Sequence, residues 1–331
     1  MARVLSREVE PAPDRSSKGA LGALIEGELG RPVPPAVAAL ARQLAERAGN
    51  GAAAVLFYGS VLRDGALDGA LEGVLDYYVL VDRLADWRGS PLAAAAGRLL
   101  PPNVGYLETT VEGRVLRAKY AVMTLGQFRR AMSERSLDTT VWTRFSQPAL
   151  CAHARSEAAR SRVAGALGQA VITAARWAAV LGPERGEALA YWRALFSRTY
   201  ELELRIESGA RIDALIERAP ERYAEVLPLA WREGGIGFDL EPEGMLVPRL
   251  AAGARAAALR RWSRRQRLGR PFNLMRLAKA AFTFDGAMDY VVWKVERHSG
   301  VRLEVAPWER RFPLLAAPRL YYRLRRRGLI R

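Results

Sequence analysis

No part of the chain restricts its fold as much as the stretch from Ala52 to Asp82. A short apolar run, Ala53 to Phe57, ends in Tyr58-Gly59-Ser60. A loop of Gly, Asp and Glu follows, and a second apolar run, Val74 to Val81, carries a carboxylate, Asp76, near its start. Short apolar runs bounded by turn-forming residues read as buried strands. The segment therefore predicts a strand, a Gly-Ser turn, a helix or loop, and a second strand bearing an acid.

That order is the layout of a nucleotidyltransferase, and phosphate chemistry explains each part. A triphosphate approaches backbone closely only where no side chain intrudes. Gly59, followed by the small hydroxyl residue Ser60 at the opening of a helix, would present N–H groups to its oxygens. Attack on an α-phosphorus with loss of pyrophosphate calls for a hard divalent cation, Mg²⁺, held by a carboxylate and by the phosphates themselves. Asp76 is the residue expected under it. The competing reading makes Gly59-Ser60 a plain turn and Asp76 a charge at a strand edge. A two-metal enzyme of this fold places a second acid two residues on, on the same strand face, and here that position is Tyr78.

The length of 331 residues predicts two domains, or one with a substantial appendage. Residues 1–33 have Glu8, Glu10 and Asp14 among basic residues and no clear apolar core, so they read as a flexible lead-in and not a signal peptide. Pro34-Pro35 opens an amphipathic helix that delivers the chain into the first strand. Beyond Asp82 come Trp87, an Ala-rich helix after Ser90-Pro91, and a break at Pro101-Pro102. Val104 to Val111, Glu112-Gly113 and Val115 to Met123 read as a hairpin, which brings the expected mixed sheet to at least four strands. Residues 34–150 thus form an α/β unit. Lys119, in the second hairpin strand, marks either a sheet edge or a point charge aimed at triphosphate oxygens, where it would neutralise charge on the leaving pyrophosphate.

From Thr124 onward strand signals fade. Helices are expected at 124–135, 156–183, 186–207, 212–216, 221–231, 248–268 and 273–283. Residues 151–270 therefore read as a mostly helical unit, with the Gly-rich stretch from Glu233 to Gly244 as its one long loop. Cys151 is the single cysteine, which excludes an internal disulfide and a cysteine-based zinc site; His153 and His298, the only histidines, argue against a multi-histidine metal site or a His relay. No stretch approaches the ~20 uninterrupted apolar residues of a membrane span.

The formal net charge of +16 points to an anionic partner: nucleotide, nucleic acid or acidic lipid. Excess Arg is concentrated in 255–270 and 319–331. The last unit, 271–331, ends in a segment that sets Trp308, Phe312, Tyr321 and Tyr322 beside Arg319, Arg323, Arg325 and Arg326. Such a segment fits a bilayer interface, with aromatics at headgroup depth and arginines on lipid phosphates. A helix docked on the body with an Arg-rich solvent face, and a nucleic-acid tail, are the alternatives.

Six motifs, in order from about residue 55 to 283, resemble the mitochondrial-type phosphatidate cytidylyltransferases, the CDP-diacylglycerol synthases also known as translocator assembly and maintenance proteins. Tyr58-Gly59-Ser60 is similar to the family's Tyr-Gly-Ser after its first strand. Val74 to Asp82 with Trp87 is close to its acid-bearing strand followed by Val-Asp and a Trp. Lys119-Tyr120-Ala121-Val122 looks like its Lys-Tyr-Gly-Val strand, and Thr143-Arg144-Phe145-Ser146-Gln147-Pro148 like its Gly-Arg-Leu-x-Lys-Pro segment. Glu203-Leu204-Arg205 resembles its acid-x-Arg, and Lys279-Ala280-Ala281-Phe282-Thr283 its Lys-Gly-Ile-Phe-Thr motif. The chain departs at Ala121, Thr143 and Gln147, where the family has Gly, Gly and Lys, and the segment after Thr283 matches nothing in it.

The resemblance implies a nucleotidyltransferase domain, a helical domain of winged-helix type closing over CTP, and a basic C-terminal amphipathic helix meeting the membrane. CTP would lie over Tyr58, Gly59 and Ser60, with Mg²⁺ on Asp76. Glu108 on a neighbouring strand, or the substrate phosphates, would complete the metal shell. Lys119 and Arg144 would hold the phosphates, and Lys279 would reach in from the tail. The phosphate of phosphatidic acid would be the acceptor, at the inner face of a bacterial cytoplasmic membrane or, alternatively, the matrix face of the mitochondrial inner membrane. Nucleic acid is set aside as the main partner. Rival readings are a nucleotidyltransferase with another acceptor (a different lipid phosphate, a sugar phosphate or a nucleic-acid end) and a non-catalytic nucleotide- or lipid-binding protein.

Overall fold

A computed structural model describes residues 19–64, 73–202, 209–300 and 303–326. Its centre is a five-stranded mixed sheet of β1 (Ala52–Tyr58), β2 (Val74–Val81), β3 (Asn103–Val111), β4 (Arg114–Thr124) and β5 (Leu150–Ala154), in the order β3-β4-β2-β1-β5. β2 and β4 run parallel, and the other pairs are antiparallel. Both faces are covered, which is why β1 and β2 are near-continuous apolar runs and not alternating ones. Val55, Phe57, Tyr77, Val79, Ala118 and Val122 face one core, capped by α2 (Pro35–Glu46). The α2 apolar residues Val37, Leu40, Ala41 and Leu44 recur at helical spacing, and Pro35 at its first turn costs no hydrogen bond. Leu56, Tyr78, Leu80, Ala121 and Met123 face the other, larger core.

That larger core is built on α7 (Glu157–Leu181), whose Ala-rich sequence favours helix and whose Ser156 side chain accepts from the Ala159 N–H at 3.2 Å to cap it. Around it pack α1 (Ala20–Leu29), α5 (Leu125–Ala131), α6 (Thr140–Phe145), α8 (Ala188–Leu202) and α10 (Pro220–Glu233), with α9 (Gly209–Glu217) on the outer side of α8 and α10. The helix α7 is long and apolar enough to cross a membrane, yet Val163, Leu167, Val171 and Trp177 are buried in this core. A two-stranded sheet of β6 (Gly237–Glu241) and β7 (Met245–Arg249) follows, then α11 (Ala254–Thr283), α12 (Ala287–Ser299), α13 (Pro307–Arg311) and α14 (Pro313–Arg326). The short helices α3 (Ser60–Asp64) and α4 (Pro91–Leu99) flank the sheet. The architecture is α/β plus α.

The hairpin expected at Glu112-Gly113 is present, with both residues at positive φ, the backbone that a two-residue turn between twisted strands requires. Several other expectations are corrected. β4 lies between β3 and β2, so Lys119 does not mark a sheet edge. Part of the expected lead-in is α1, whose Leu21, Ile25 and Leu29 are buried in the larger core and whose Glu28 is paired with Arg222 of α10. The boundary at 150/151 falls inside β5, which completes the sheet at its β1 edge, and the core runs unbroken from that sheet into the helices. The Gly-rich stretch from Glu233 to Gly244 carries β6, because Gly235 and Gly244 take the positive φ that starts and turns the hairpin. The helices expected at 248–268 and 273–283 are one helix, α11, which passes through Pro271 on its exposed side.

Candidate active site

Across the sheet, Tyr58 of β1, Asp76 of β2, Lys119 of β4 and Tyr106 of β3 are successive register partners. Neighbouring strands lie about 4.8 Å apart, and register partners project to the same face, so the Asp76 carboxylate and the Lys119 ammonium stand side by side. Tyr78, one step further in, is buried, while Asp76 is half-buried and Lys119 exposed; at the far end of the row Tyr106 is buried again, its ring packed against Tyr290 and Trp293 of α12. Gly59 ends β1 with φ +103°, and a Cβ there would lie 2.9 Å from Asp76 Oδ2. Only glycine lets the turn close onto the carboxylate.

Tyr58, Asp76 and Lys119 of this row floor a cleft of about 660 Å³. Its near wall is Gly59, Ser60 and α6, which contributes Thr140, Thr143 and Arg144 and is followed by Gln147 and Pro148. Arg144 donates to the Tyr78 hydroxyl at 3.2 Å and lies over the Tyr58 ring, 5.3 Å from its centroid. The Tyr78 ring meets Tyr58, Phe128 and Phe145, so position 78 is an aromatic core residue that also orients a cation. Thr143 Oγ1 is buried without a hydrogen-bond partner among the described residues. The far wall is Arg276 of α11 with Tyr290 and Lys294 of α12, and Tyr200 of α8 also lines the space. Arg276 pairs with the half-buried Asp138 at 2.7 Å. Among the described lining residues one carboxylate, Asp76, therefore faces four cations, Lys119, Arg144, Arg276 and Lys294.

The far wall is held by one junction. Between α11 and α12 the backbone at Asp285 bridges to β3, with the Tyr106 N–H donating to the Asp285 carbonyl at 2.8 Å. The Asp285 side chain takes hydrogen bonds from the Tyr120 hydroxyl and from Arg47, each at 2.5 Å. The Arg47 guanidinium lies over Trp87 and Tyr120, 5.2 and 5.5 Å from their centroids. Gly105, the register partner of Tyr120, leaves room for that ring. Burial and the neighbouring Asp285 charge push the Tyr120 phenol well up, which keeps it a donor. Gly286, with φ +70°, follows directly; a Cβ there would meet the Tyr106 carbonyl at 2.5 Å.

The structure thus brings together Tyr58, Gly59, Ser60, Asp76, Lys119 and Arg144. It does not bring in Lys279, whose Nζ donates to the Leu100 and Pro102 carbonyls, each at 2.6 Å, and to Asn103 Oδ1 at 3.0 Å. Burial, with Arg276 nearby, lowers this ammonium to about 8. One turn earlier, Arg276 takes the place on the cleft that was expected for Lys279. Glu108 is exposed and off the cleft, where it accepts from Arg117 at 2.9 Å and from Tyr106 at 3.1 Å. The Glu203-Leu204-Arg205 motif lies outside the described residues. In the tail, Arg323 donates to Glu304 and to the buried Glu309, and Arg319 lies 3.9 Å from Glu309, so both help hold α14 to α13. Tyr322, Arg325 and Arg326 are exposed; the Tyr321 side chain lies outside the described set.

Sequence reasoning missed Lys294 and Tyr290, which fall in the segment without a counterpart in the resembling family. No group of three or more His, Cys, Asp or Glu gathers among the described residues. Asp76 alone suits a cation that arrives with phosphate ligands and keeps part of its water shell, as Mg²⁺ does. No protein-family model matches the chain, and no curated protein matches it in sequence.

Proposed function

We propose that the protein is a nucleotidyltransferase that transfers cytidylyl from CTP to the phosphate of phosphatidic acid at a membrane surface, making CDP-diacylglycerol and pyrophosphate. The observation that carries the transferase reading is the row in which Asp76 and Lys119 stand side by side, with Gly59 closed onto the carboxylate. CTP and the lipid acceptor rest on the motif resemblance. The β6-β7 hairpin beside α10 is compatible with the winged-helix character that the resemblance implies.

In this reading the triphosphate lies over Gly59 and Ser60. Lys119, Arg144, Arg276 and Lys294 neutralise its oxygens and the charge that grows on the departing pyrophosphate. Asp76 would hold Mg²⁺, which polarises the α-phosphate. The acceptor phosphate is already anionic at neutral pH, so the protein has to position it rather than deprotonate it. The exposed Trp308, Phe312, Leu315 and Tyr322, with Arg325 and Arg326, are consistent with a tail that meets lipid. The expected setting is the inner face of a bacterial cytoplasmic membrane, with the mitochondrial matrix face as the alternative. Tyr78, standing where a second acid is usual, favours as second reading a protein that binds nucleotide and turns nothing over.

Pyrophosphate release from CTP with Mg²⁺ and phosphatidic acid vesicles tests the proposal, run beside ATP, GTP and UTP and beside Asp76→Ala. Release that needs CTP, the lipid and Asp76 together is the expected result. Intact, CTP-binding protein that releases nothing with any phosphate acceptor overturns catalysis and leaves the binding reading.

A further inference from the structure

The second half of α11 is amphipathic in the reverse sense. Between 271 and 283 its only charged residues, Arg276 and Lys279, turn inward, one to Asp138 and the cleft and the other to the carbonyls of Leu100 and Pro102. Its outward arc carries Leu274, Leu277 and Phe282, which are 63%, 69% and 72% exposed, together with the exposed Met275. A helix whose outer side meets water carries its charges there and its apolar residues inside. The neighbouring α4 extends the patch with Leu92 and Leu99, 65% and 80% exposed. Single exposed leucines are ordinary, but four large apolar side chains on the outward arc of one helix, with two more exposed on the helix beside it, call for an apolar partner.

The first half of the same helix indicates which partner. Arg260, Arg264 and Arg267 are exposed, and at helical spacing they lie on the arc that continues into Leu274 and Met275. One stripe therefore runs from basic to apolar along a helix about 45 Å long at 1.5 Å per residue. A second copy of this chain would bring the same arginines and a further +16 charge against it. An anionic bilayer complements both ends.

We propose that the outward stripe of α11, continued by α4, is the surface on which the protein lies on an anionic bilayer. The leucines and Phe282 enter the acyl boundary, and Arg260, Arg264 and Arg267 sit on headgroup phosphates. This deepens the functional reading above and rests on it for its purpose: the helix that meets lipid on one side carries Arg276 into the cleft on the other, so docking sets the cleft wall at the membrane surface.

The test is co-sedimentation of the full chain with vesicles of phosphatidylcholine, with and without phosphatidylglycerol, an anionic lipid that is not the acceptor. Two variants alter only exposed side chains: Leu274→Ser/Leu277→Ser/Phe282→Ser, and Arg260→Glu/Arg264→Glu/Arg267→Glu. Circular dichroism checks their fold. The wild type is expected to partition onto the anionic vesicles, and each variant to lose tenfold or more. Wild-type partitioning by both variants overturns the proposal, as does a vesicle-independent dimer that the triple serine variant dissociates. If the variants lose binding but the wild type transfers no cytidylyl group, the docking surface stands and the functional reading fails.

Discussion

Gly59→Ala tests whether the turn and the carboxylate are built as one unit. At φ +103° an alanine backbone is strained by about 1–3 kcal/mol. Its Cβ would also lie 2.9 Å from Asp76 Oδ2, so the carboxylate must retreat by about 0.5 Å to restore an ordinary contact. A displacement of ~1 Å in a reacting group can lower a rate about 100-fold, so half of that predicts a loss on the order of tenfold in pyrophosphate release. The stability arm needs no turnover: urea unfolding of wild type, Gly59→Ala, Asp76→Gly and the double variant forms a cycle. Removing the Asp76 side chain should return the part of the loss that comes from the contact and leave the part that comes from φ, giving non-additivity of about 0.5 kcal/mol or more. Additive losses would mean that the turn does not rest on Asp76. A Gly59→Ala protein as stable and as active as wild type would refute the geometry altogether.

Arg47→Ala removes the ion pair to Asp285 and the contacts over Trp87 and Tyr120, of which Tyr120 lines the cleft and none belongs to its far wall. A stability loss of about 1–3 kcal/mol is expected, together with weaker nucleotide binding, because Tyr290 and Lys294 hang from that junction; unchanged binding in a nucleotide titration would disconnect the junction from the cleft. Lys279 gives a pH signature. Its ammonium is lowered to about 8 from an ordinary 10.5, so between those values the unfolded chain still holds a proton that the folded chain has shed. Stability should therefore rise with pH from about 8 to 10 in the wild type and lose that slope in Lys279→Met, as read by urea midpoints. Above about pH 10 the phenols of Tyr77, Tyr106 and Tyr120, pushed up mainly by burial, reverse the trend, since they ionise more readily in the unfolded chain.

The part of the fold legible in the sequence is the part whose burial is symmetric. β1 and β2 are covered on both faces, so they appear as apolar runs, and the Glu112-Gly113 turn announces its hairpin by residue type. β5 was hidden because Leu-Cys-Ala-His-Ala has little strand character and becomes a strand only by pairing with β1. α11 reads as two helices because Pro271 looks like a break, while its exposed position lets the helix continue. In the candidate site, Gly59, Asp76 and Lys119 were readable from the strand and turn pattern, and Arg144 from the motif resemblance. Arg276 and Lys279 lie three apart on one helical face, and periodicity cannot say which of the two reaches a cleft; the carbonyls of Leu100 and Pro102, distant in sequence, decide it by taking Lys279.

The aromatic residue at position 78 also bears on which acceptors suit the cleft. In a two-metal transferase the second acid helps to place a cation against a hydroxyl nucleophile, which must lose its proton to attack. Here that position holds Tyr78, whose hydroxyl takes a hydrogen bond from Arg144, so a tyrosine that orients a fixed cation stands where such an enzyme carries an acid. No histidine or cysteine lines the cleft among the described residues to act as a base in its stead. A hydroxyl acceptor, such as a nucleic-acid end or a sugar, would find little to ionise it. A phosphate monoester arrives ionised and is drawn by the surplus of cations over carboxylate. On the transferase reading proposed above, the arrangement favours phosphate over hydroxyl acceptors: with CTP, a soluble short-chain phosphatidate should support pyrophosphate release and the matching diacylglycerol should not. Equal release with both would remove the argument from Tyr78 and Arg144.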